Sequence, residues 1–403
     1  MKTIQKIVTL DHEAATRWPV FDGEAEAAVL RILRDGNVST HPVIRELERD
    51  YAAFTGRRHA LAHNNGTSAL FAAFHALGLA PGDEVLVPSA TFWASVLPMV
   101  WCGLVPVFCE SESATLGLDP ADLRRKITPR TKAVVMVHLW GLPCQVAEIE
   151  QVCQEFDLRI IEDASHAHGA SYHGRPCGTL GDISVFSLQG DKLAPAGEGG
   201  VFLTDSPDYL ERAIGLGDIT RIIELCSPAQ RFAATSMGIK TRIAPLSAAL
   251  GQVSLRHLAE CNRVRNENHR WLSEQLEPLG FDCFLPPTGV DRVYFEFLIR
   301  HRDPSFDTAR LMAVLQDLGC QVRVPRYPLL HQQPFFREGW VAEIGRYPGG
   351  FELPDYAHLE LPQTEAENRR LIKLPNFCHP ARELLQQYRS AFEIAVGEIA
   401  GTR

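Results

Sequence analysis

The chain has 403 residues, of which 45% are hydrophobic and 22% charged, and its formal net charge is −9. That length supports a large core and two packed units, and the composition is that of a soluble globular protein. The acidic balance without any basic tract excludes non-specific nucleic-acid binding, and no apolar run approaches the roughly 18 residues of a membrane span.

The opening stretch, residues 1–22, reads as an irregular arm ending at Trp18-Pro19. It lacks the apolar region of a signal peptide, so a cytoplasmic location is expected. An amphipathic helix is predicted over 24–34, stopped by Asp35-Gly36, and a second over 42–54, closed by Gly56. A short apolar strand, 59–63, then leads through Asn64-Asn65-Gly66-Thr67-Ser68 into a helix at 69–79. Small polar residues between a strand and a helix put backbone N–H groups and two hydroxyls at a helix N-terminus, which suits a phosphate. Simple capping of that helix by Thr67 or Ser68 explains the same residues.

From Pro81 onward, strands and helices alternate: strands at 84–87, 105–109, 133–138 and 158–161, helices at 93–102, 119–126 and 146–156. This pattern predicts an α/β fold, a mostly parallel sheet covered by helices on both faces, with ligand groups gathered beyond the carboxyl ends of the strands. Phe92-Trp93 and Asp163 stand at two such ends. A buried strand-end carboxylate must be paired, so Asp163 either caps the following turn or meets a cation. Next comes GDISVFSLQGDKLAPAGEGGVFLTD, two apolar strands around a loop that holds Lys192, Asp191 and a cluster of glycines. Pro195 keeps that loop from zipping into a ladder.

Helices are expected at 208–215 and from 244 through about 277, with a polar section between them. Beyond Leu279-Gly280 the pattern changes to strands at 293–300 and 320–324, a helix at 308–318, a loop rich in proline and aromatic residues at 325–336, and a terminal helix at 381–400. The expected organisation is the arm (1–22), a large domain (23–259) and a smaller α+β domain (260–403). Ten cysteines without short pair spacing read as buried free thiols. His166 and His168 have no accompanying ligand cluster, so no metal is expected.

An anion seat, an aromatic ring, a strand-end carboxylate and a loop lysine together match the needs of pyridoxal 5′-phosphate (PLP): donors for its phosphate, a flat face for its ring, an acid for its ring nitrogen and an amine for its aldehyde. The motifs NGTSAL (65–70), VPSATF (87–92), IEDASHAHGA (161–170), FSLQGDK with GEGG (186–192, 197–200) and GIKTRIAPLSAALG (238–251) resemble those of the DegT-type sugar aminotransferases, PLP enzymes of fold type I. The likeness runs from the first helix to LPNFCHPARELLQQYRSAF at 374–392.

The resemblance implies that Lys192 binds the cofactor's aldehyde, Asp163 pairs with its ring nitrogen and Phe92 stacks on its ring. It further implies that Thr67, Ser68 and Ser187 hold the phosphate, that His166 lies near the phenolic oxygen, and that Lys240 reaches the phosphate from the partner subunit of a homodimer. The implied reaction is ping-pong transfer of an amino group from an amino acid, glutamate or glutamine, to a keto sugar or cyclitol. Family members that act as dehydratases carry histidine at the lysine position, so Lys192 favours transfer. Gln189, where histidine is usual, looks more like the cyclitol branch, against a nucleotide-linked keto sugar or a lyase as alternatives. Trp93, Trp140, Arg326, Tyr327 and His331 are candidate wall residues, and Asp191 beside the lysine has no assigned role beyond local charge tuning.

Overall fold

A computed structural model describes residues 6–345, 347–349 and 351–400. Seven strands make one sheet: β1 (His59–His63), β2 (Glu84–Pro88), β3 (Val105–Cys109), β4 (Thr131–Val137), β5 (Arg159–Asp163), β6 (Ile183–Ser187) and β7 (Gly200–Thr204), in the order β1-β7-β6-β5-β4-β2-β3. The run from β6 to β3 is parallel, and β7 is antiparallel to both its neighbours. Six strands therefore point one way, with β7 alone reversed. The carboxyl ends of β1, β5 and β6 and the amino end of β7 meet on one edge. β2, β6 and β7 are buried along their whole length, as expected for strands covered on both faces.

Local sequence explains the helix ends. The Gly23–Asp35 helix is capped by the Asp22 carboxylate, which accepts from Glu24 N and Ala25 N, and it stops at Gly36 in the left-handed conformation. Residues 93–102 form a 3-10 turn, Trp93–Ser95, and then a short helix, Leu97–Trp101, with Pro98 inside its first turn. A single helix of 32 residues, Pro245–Leu276, spans the expected two-part segment. Residue 260 lies inside it.

Buried side chains fall into two clusters. One lies around the seven-stranded sheet and takes in Ala248, Ala249 and Leu258 of the long helix, together with Val293, Phe295, Leu330 and Phe336. The other joins Leu272 and Leu276 of the same helix to Phe297, Leu311, Leu374, Tyr388 and Phe392. Val8 and Ala15 of the arm sit in this second cluster, and Ile7 N and Val8 N donate to Leu318 O. Met1–Gln5 of the arm lie outside the described residues.

Two predicted strands are corrected. The first begins only at Phe297, because Phe295 N donates to Trp140 O and ties the preceding residues to the large sheet's loops. Residues 320–324 form a single bridge, Arg323 with Lys373, not a strand. Pro325 follows closely and has no N–H with which to extend a ladder. The small sheet is instead Phe281–Asp282, Phe297–His301 and Ile372–Leu374.

All ten cysteines are free. Seven are buried, and Cys226 is exposed. Among the described residues no helix is long and apolar enough to cross a membrane.

Candidate active site

The edge where the strand ends converge opens into a cavity of about 1000 Å³. Asn65, Gly66 and Thr67 come to it from beyond β1, Phe92, Trp93 and Ser95 from beyond β2, Asp163 from the end of β5 with His166 just after it, and Ser187 from the end of β6 with Gln189 and Lys192 just after it. Arg326, Tyr327, Gln333 and Phe335 close it from the loop that follows Pro325.

Lys192 is buried, and its Nζ stands 4.2 Å from the centroid of the Phe295 ring. Burial lowers its pKa to about 8; Asp163, Glu296 and Asp191 oppose that fall, while the Arg326 charge adds to it. At neutral pH about a tenth of such amines are unprotonated, against roughly one in several thousand for an ordinary lysine. The loop is held at several points. Lys192 N donates to Gln189 O (2.8 Å), Leu188 N to Gly199 O (2.8 Å) and Ser254 Oγ to Pro195 O. The arm also takes part, since Trp18 Nε1 donates to Lys192 O at 2.9 Å.

Asp163 is buried, and each of its oxygens accepts one hydrogen bond. Its Oδ2 accepts from Ser95 Oγ at 2.7 Å, its Oδ1 from Ser165 N at 3.0 Å, and Thr91 Oγ1 lies 2.9 Å from Ser95 Oγ. The carboxylate is thus fixed in orientation at the cavity wall. His166 is also buried, with its ring 4.2 Å from Phe295. Its Nδ1 accepts from Trp140 N (3.3 Å), so the proton of the neutral ring is on Nε2, which faces Tyr327 Oη at 3.4 Å. Burial, with the Lys192 and Arg326 charges, holds its pKa well below the ordinary value. Phe92 lies with Trp93 and Tyr327 in an aromatic group, at ring distances of 4.9 and 5.5 Å.

The Gly66–Leu77 helix starts at the cavity. Asn65 caps it by accepting from Ser68 N (2.8 Å), and Ala69 N donates to Asn65 O. Gly66 and Thr67, both in the wall, are left to supply N–H donors to an anion. Two glycines make this seat possible. A Cβ on Gly66 would come within 2.7 Å of Ser187 Cβ, and one on Gly200 within 2.4 Å of Asn65 O. Gly200→Ala must therefore push the Asn65–Gly66 backbone away from β7. We expect it to cost about 1–3 kcal/mol in a urea unfolding titration, and an unchanged midpoint would contradict this packing.

The remaining predicted residues are placed differently. Ser68 does not line the main cavity; it lines a neighbouring one of about 430 Å³ with Thr67, Phe71, Trp101, Ile239 and Thr241. Lys240 is exposed and lines neither. Trp140 is buried behind the wall, stacked with Tyr327 and His166 at 5.0 and 5.6 Å. His331 is fully buried against Ser89 and Glu365 and is a packing residue, because both ring nitrogens are taken within the protein. His168 packs on Phe186 at 4.3 Å, and burial lowers its pKa to about 3.

Among the described residues, two groups bring three possible metal ligands together: His138, Glu162 and Cys177, and Asp22, Glu24 and His257. In the first, Glu162 already accepts from Gly178 N, Leu180 N and Ser184 Oγ. The second is an exposed set in which Glu24 already pairs with Arg256 and His257.

Residues 19–387 match the model of the DegT/DnrJ/EryC1/StrS aminotransferase family. The chain belongs to this family. It is 33% identical over 368 residues to a GDP-perosamine synthase of Caulobacter vibrioides, covering 88% of this chain and 95% of that one. It is 31% identical over 386 residues to an L-glutamine:2-deoxy-scyllo-inosose aminotransferase of Streptoalloteichus tenebrarius, covering 90% of each. The crystal structure of 3-amino-5-hydroxybenzoic acid synthase superposes with a TM-score of 0.81 at 28% identity, over 94% of this chain and 98% of that one. The protein is an aminotransferase of fold type I, and its cofactor is PLP.

The wall fits that group on its own chemistry: a depressed-pKa amine, an oriented buried carboxylate, and an anion seat too tight for any side chain at Gly66 or Gly200. Sequence reasoning missed Ser95, Phe295 and Trp18. Ser95 lies three residues beyond the singled-out Phe92, but nothing local ties it to Asp163. The contacts of Phe295 and Trp18 with Lys192 cross 103 and 174 positions of chain.

Proposed function

We propose that this enzyme moves an amino group from glutamate or glutamine to the ketone of a keto sugar or cyclitol, in two successive half-reactions at one site. The observation that carries the reading is Lys192, a buried amine in the same cavity as the buried Asp163. The two curated relatives named above, one a GDP-perosamine synthase and one a cyclitol aminotransferase, support the acceptor class.

PLP supplies an aldehyde that exchanges amines and a ring that takes up electrons. The chain's own groups do the rest. Lys192 Nζ accepts and returns a proton as general acid and base, which its lowered pKa allows near neutral pH. Asp163, oriented by Ser95, keeps a ring-nitrogen proton in place. Thr67 and Ser187, with the Gly66 N–H, hold the phosphate, and Phe92 offers a flat face. His166 Nε2–H is a donor for a phenolic oxygen.

Ser68 is proposed to add a hydroxyl to the phosphate seat of its own chain, and Lys240 to reach the phosphate of a second copy. Around the 430 Å³ cavity Trp93, Trp101 and Ile239 are exposed large apolar residues. Such a patch supports a homodimer interface, at which the 239–241 stretch of one subunit would meet the other. We also propose the cytoplasm as the location, and the division at 23–259 and 260–403 as two units joined by the long helix.

The test is spectroscopic. The PLP-loaded protein is mixed with glutamate or glutamine, and the visible absorbance of the bound cofactor is followed. The expected result is its loss with at least one donor. It should return when scyllo-inosose or a nucleotide-linked keto sugar is added, and whichever restores it names the acceptor branch. No response to any amino donor would rule the transferase reading out.

A further inference from the structure

Arg265 lies within the long helix, is 2% exposed, and touches neutral groups. Its Nε donates to Cys378 Sγ at 3.3 Å, and its guanidinium carbon stands 3.9 Å from the centroid of the Trp18 ring. Its Nη1 has no hydrogen-bond partner within the protein. A buried cation is costly unless something compensates it, and an aromatic face does so most strongly where water is excluded. Here that face belongs to the N-terminal arm, and the same indole reaches the active site. Trp18 Nε1 donates to Lys192 O at 2.9 Å.

The arm beside Trp18 is pinned as well. His379 N donates to Ala15 O at 3.1 Å, and His379 Nε2 lies 2.9 Å from Arg17 O. Asn268 of the long helix holds this segment in turn, donating through Nδ2 to Phe377 O and His379 O. Asn376 Nδ2 donates to Phe295 O, and the Phe295 ring carries Lys192 Nζ at 4.2 Å. Lys192 is thus held at its carbonyl by Trp18 and at its amine by Phe295, and both restraints lead back to residues 376–379 and the long helix. Its loop needs such support, because Gly190, Gly197 and Gly199 lie within it and glycine leaves the backbone freest.

We propose that Trp18 is a positioning residue for Lys192, fixing the lysine's carbonyl so that Nζ stands over the Phe295 ring, and that Arg265 holds the indole in place. This rests on the aminotransferase reading above. Neither residue touches the reacting atoms. A lysine displaced by about an ångström meets the cofactor's aldehyde less often and is misaligned for proton transfer. The alternative is that Trp18 and Arg265 simply fasten the arm to the helix, which changes stability but not the speed of Lys192's chemistry.

Trp18→Phe keeps a ring beneath Arg265 and removes the N–H. In the cofactor-free protein, the plateau rate of PLP capture at high pH is expected to fall about three- to tenfold, the range for one lost hydrogen bond. Amide hydrogen exchange in the peptide covering 189–196 should quicken. The pH midpoint of capture should stay in place, because the charges acting on Lys192 are those of Asp163, Arg326, Glu296 and Asp191. In the loaded enzyme, the maximal rate of the spectral half-reaction should fall by the same factor, at an unaltered half-saturating glutamate concentration. Arg265→Met is expected to give a similar loss, and Arg265→Lys, which restores a cation over the ring, to recover most of it. Both residues act along one path, so the double variant Trp18→Phe, Arg265→Met should lose no more than the worse single one.

A lowered thermal midpoint in Trp18→Phe with wild-type capture rate and loop exchange would overturn the proposal. So would multiplying losses in the double variant, or no recovery with Arg265→Lys. A shifted half-saturating concentration at an unchanged maximal rate would put Trp18 at the donor's site instead, and equally overturn it. If wild type captures PLP but responds to no amino donor, the functional reading fails, and the capture and exchange measurements still decide this inference.

Discussion

Lys192→Ala is expected to lower transamination by roughly 10⁴-fold or more, because the change removes both the amine that exchanges with the cofactor's aldehyde and the general acid/base that moves the proton. Removal of the side chain opens space over the Phe295 ring, whose face Lys192 Nζ covers at 4.2 Å. The backbone of the loop is tied independently, through Gln189 O, Gly199 O and the Trp18 indole, so the fold should persist. PLP should still bind through the seat at Asn65–Thr67 and Ser187, but without the visible band that marks its link to an amine. Steady-state rates together with an absorbance spectrum of the variant check both parts. A retained band would show that another lysine carries the chemistry.

Asp163→Asn is expected to cost about 100- to 1,000-fold in rate, as for other preorganised electrostatic contacts at a reacting centre. The amide keeps the shape, its oxygen can still accept from Ser165 N and its NH2 can donate to Ser95 Oγ, but it loses the charge that holds a proton on a ring nitrogen. A second readout follows from Lys192. Burial lowers that lysine's pKa from 10.5 to about 8, and the Asp163 charge is the largest effect opposing the fall. Without that charge, the pKa drops further. The pH midpoint for capture of PLP by the cofactor-free protein should therefore move down in Asp163→Asn. An upward move would contradict the assigned geometry.

The sign for stability follows from the same shift. Between about 8 and 10.5 the unfolded chain holds a proton that the folded chain has released, so this group makes the cofactor-free protein more stable as pH rises through that interval.

Much of the site could be read in the sequence because its parts are local. Asp163 and Ser187 each close a short apolar strand and Thr67 follows one through a short turn, and a parallel sheet gathers such ends on one edge. Lys192 was legible for a related reason, since its loop joins two strands that pair in register from Ile183 with Thr204 to Ser187 with Gly200. What was illegible depends on long-range packing. Asp191 looked like an isolated oddity because its partner, Arg326, is 135 positions away. Ser68 lies on the first turn of a helix, where a small rotation about the axis decides which of two cavities a hydroxyl lines. His331 had the right chemistry for a wall, but Ser89 and Glu365 saturate its ring from within the core. The bridge at Arg323 shows the limit of apolar patterning: one exchanged pair of bonds forms, and the proline after Val324 ends it.

The central claim is that Lys192 is the amine that joins the cofactor, and one measurement reaches it directly. The PLP-loaded enzyme is reduced with borohydride, digested, and its peptides are mapped by mass spectrometry. A single pyridoxyl group on Lys192, within the segment between Ser187 and Gly200, is the predicted result. A pyridoxyl group on any other lysine, or none at all, would contradict the account.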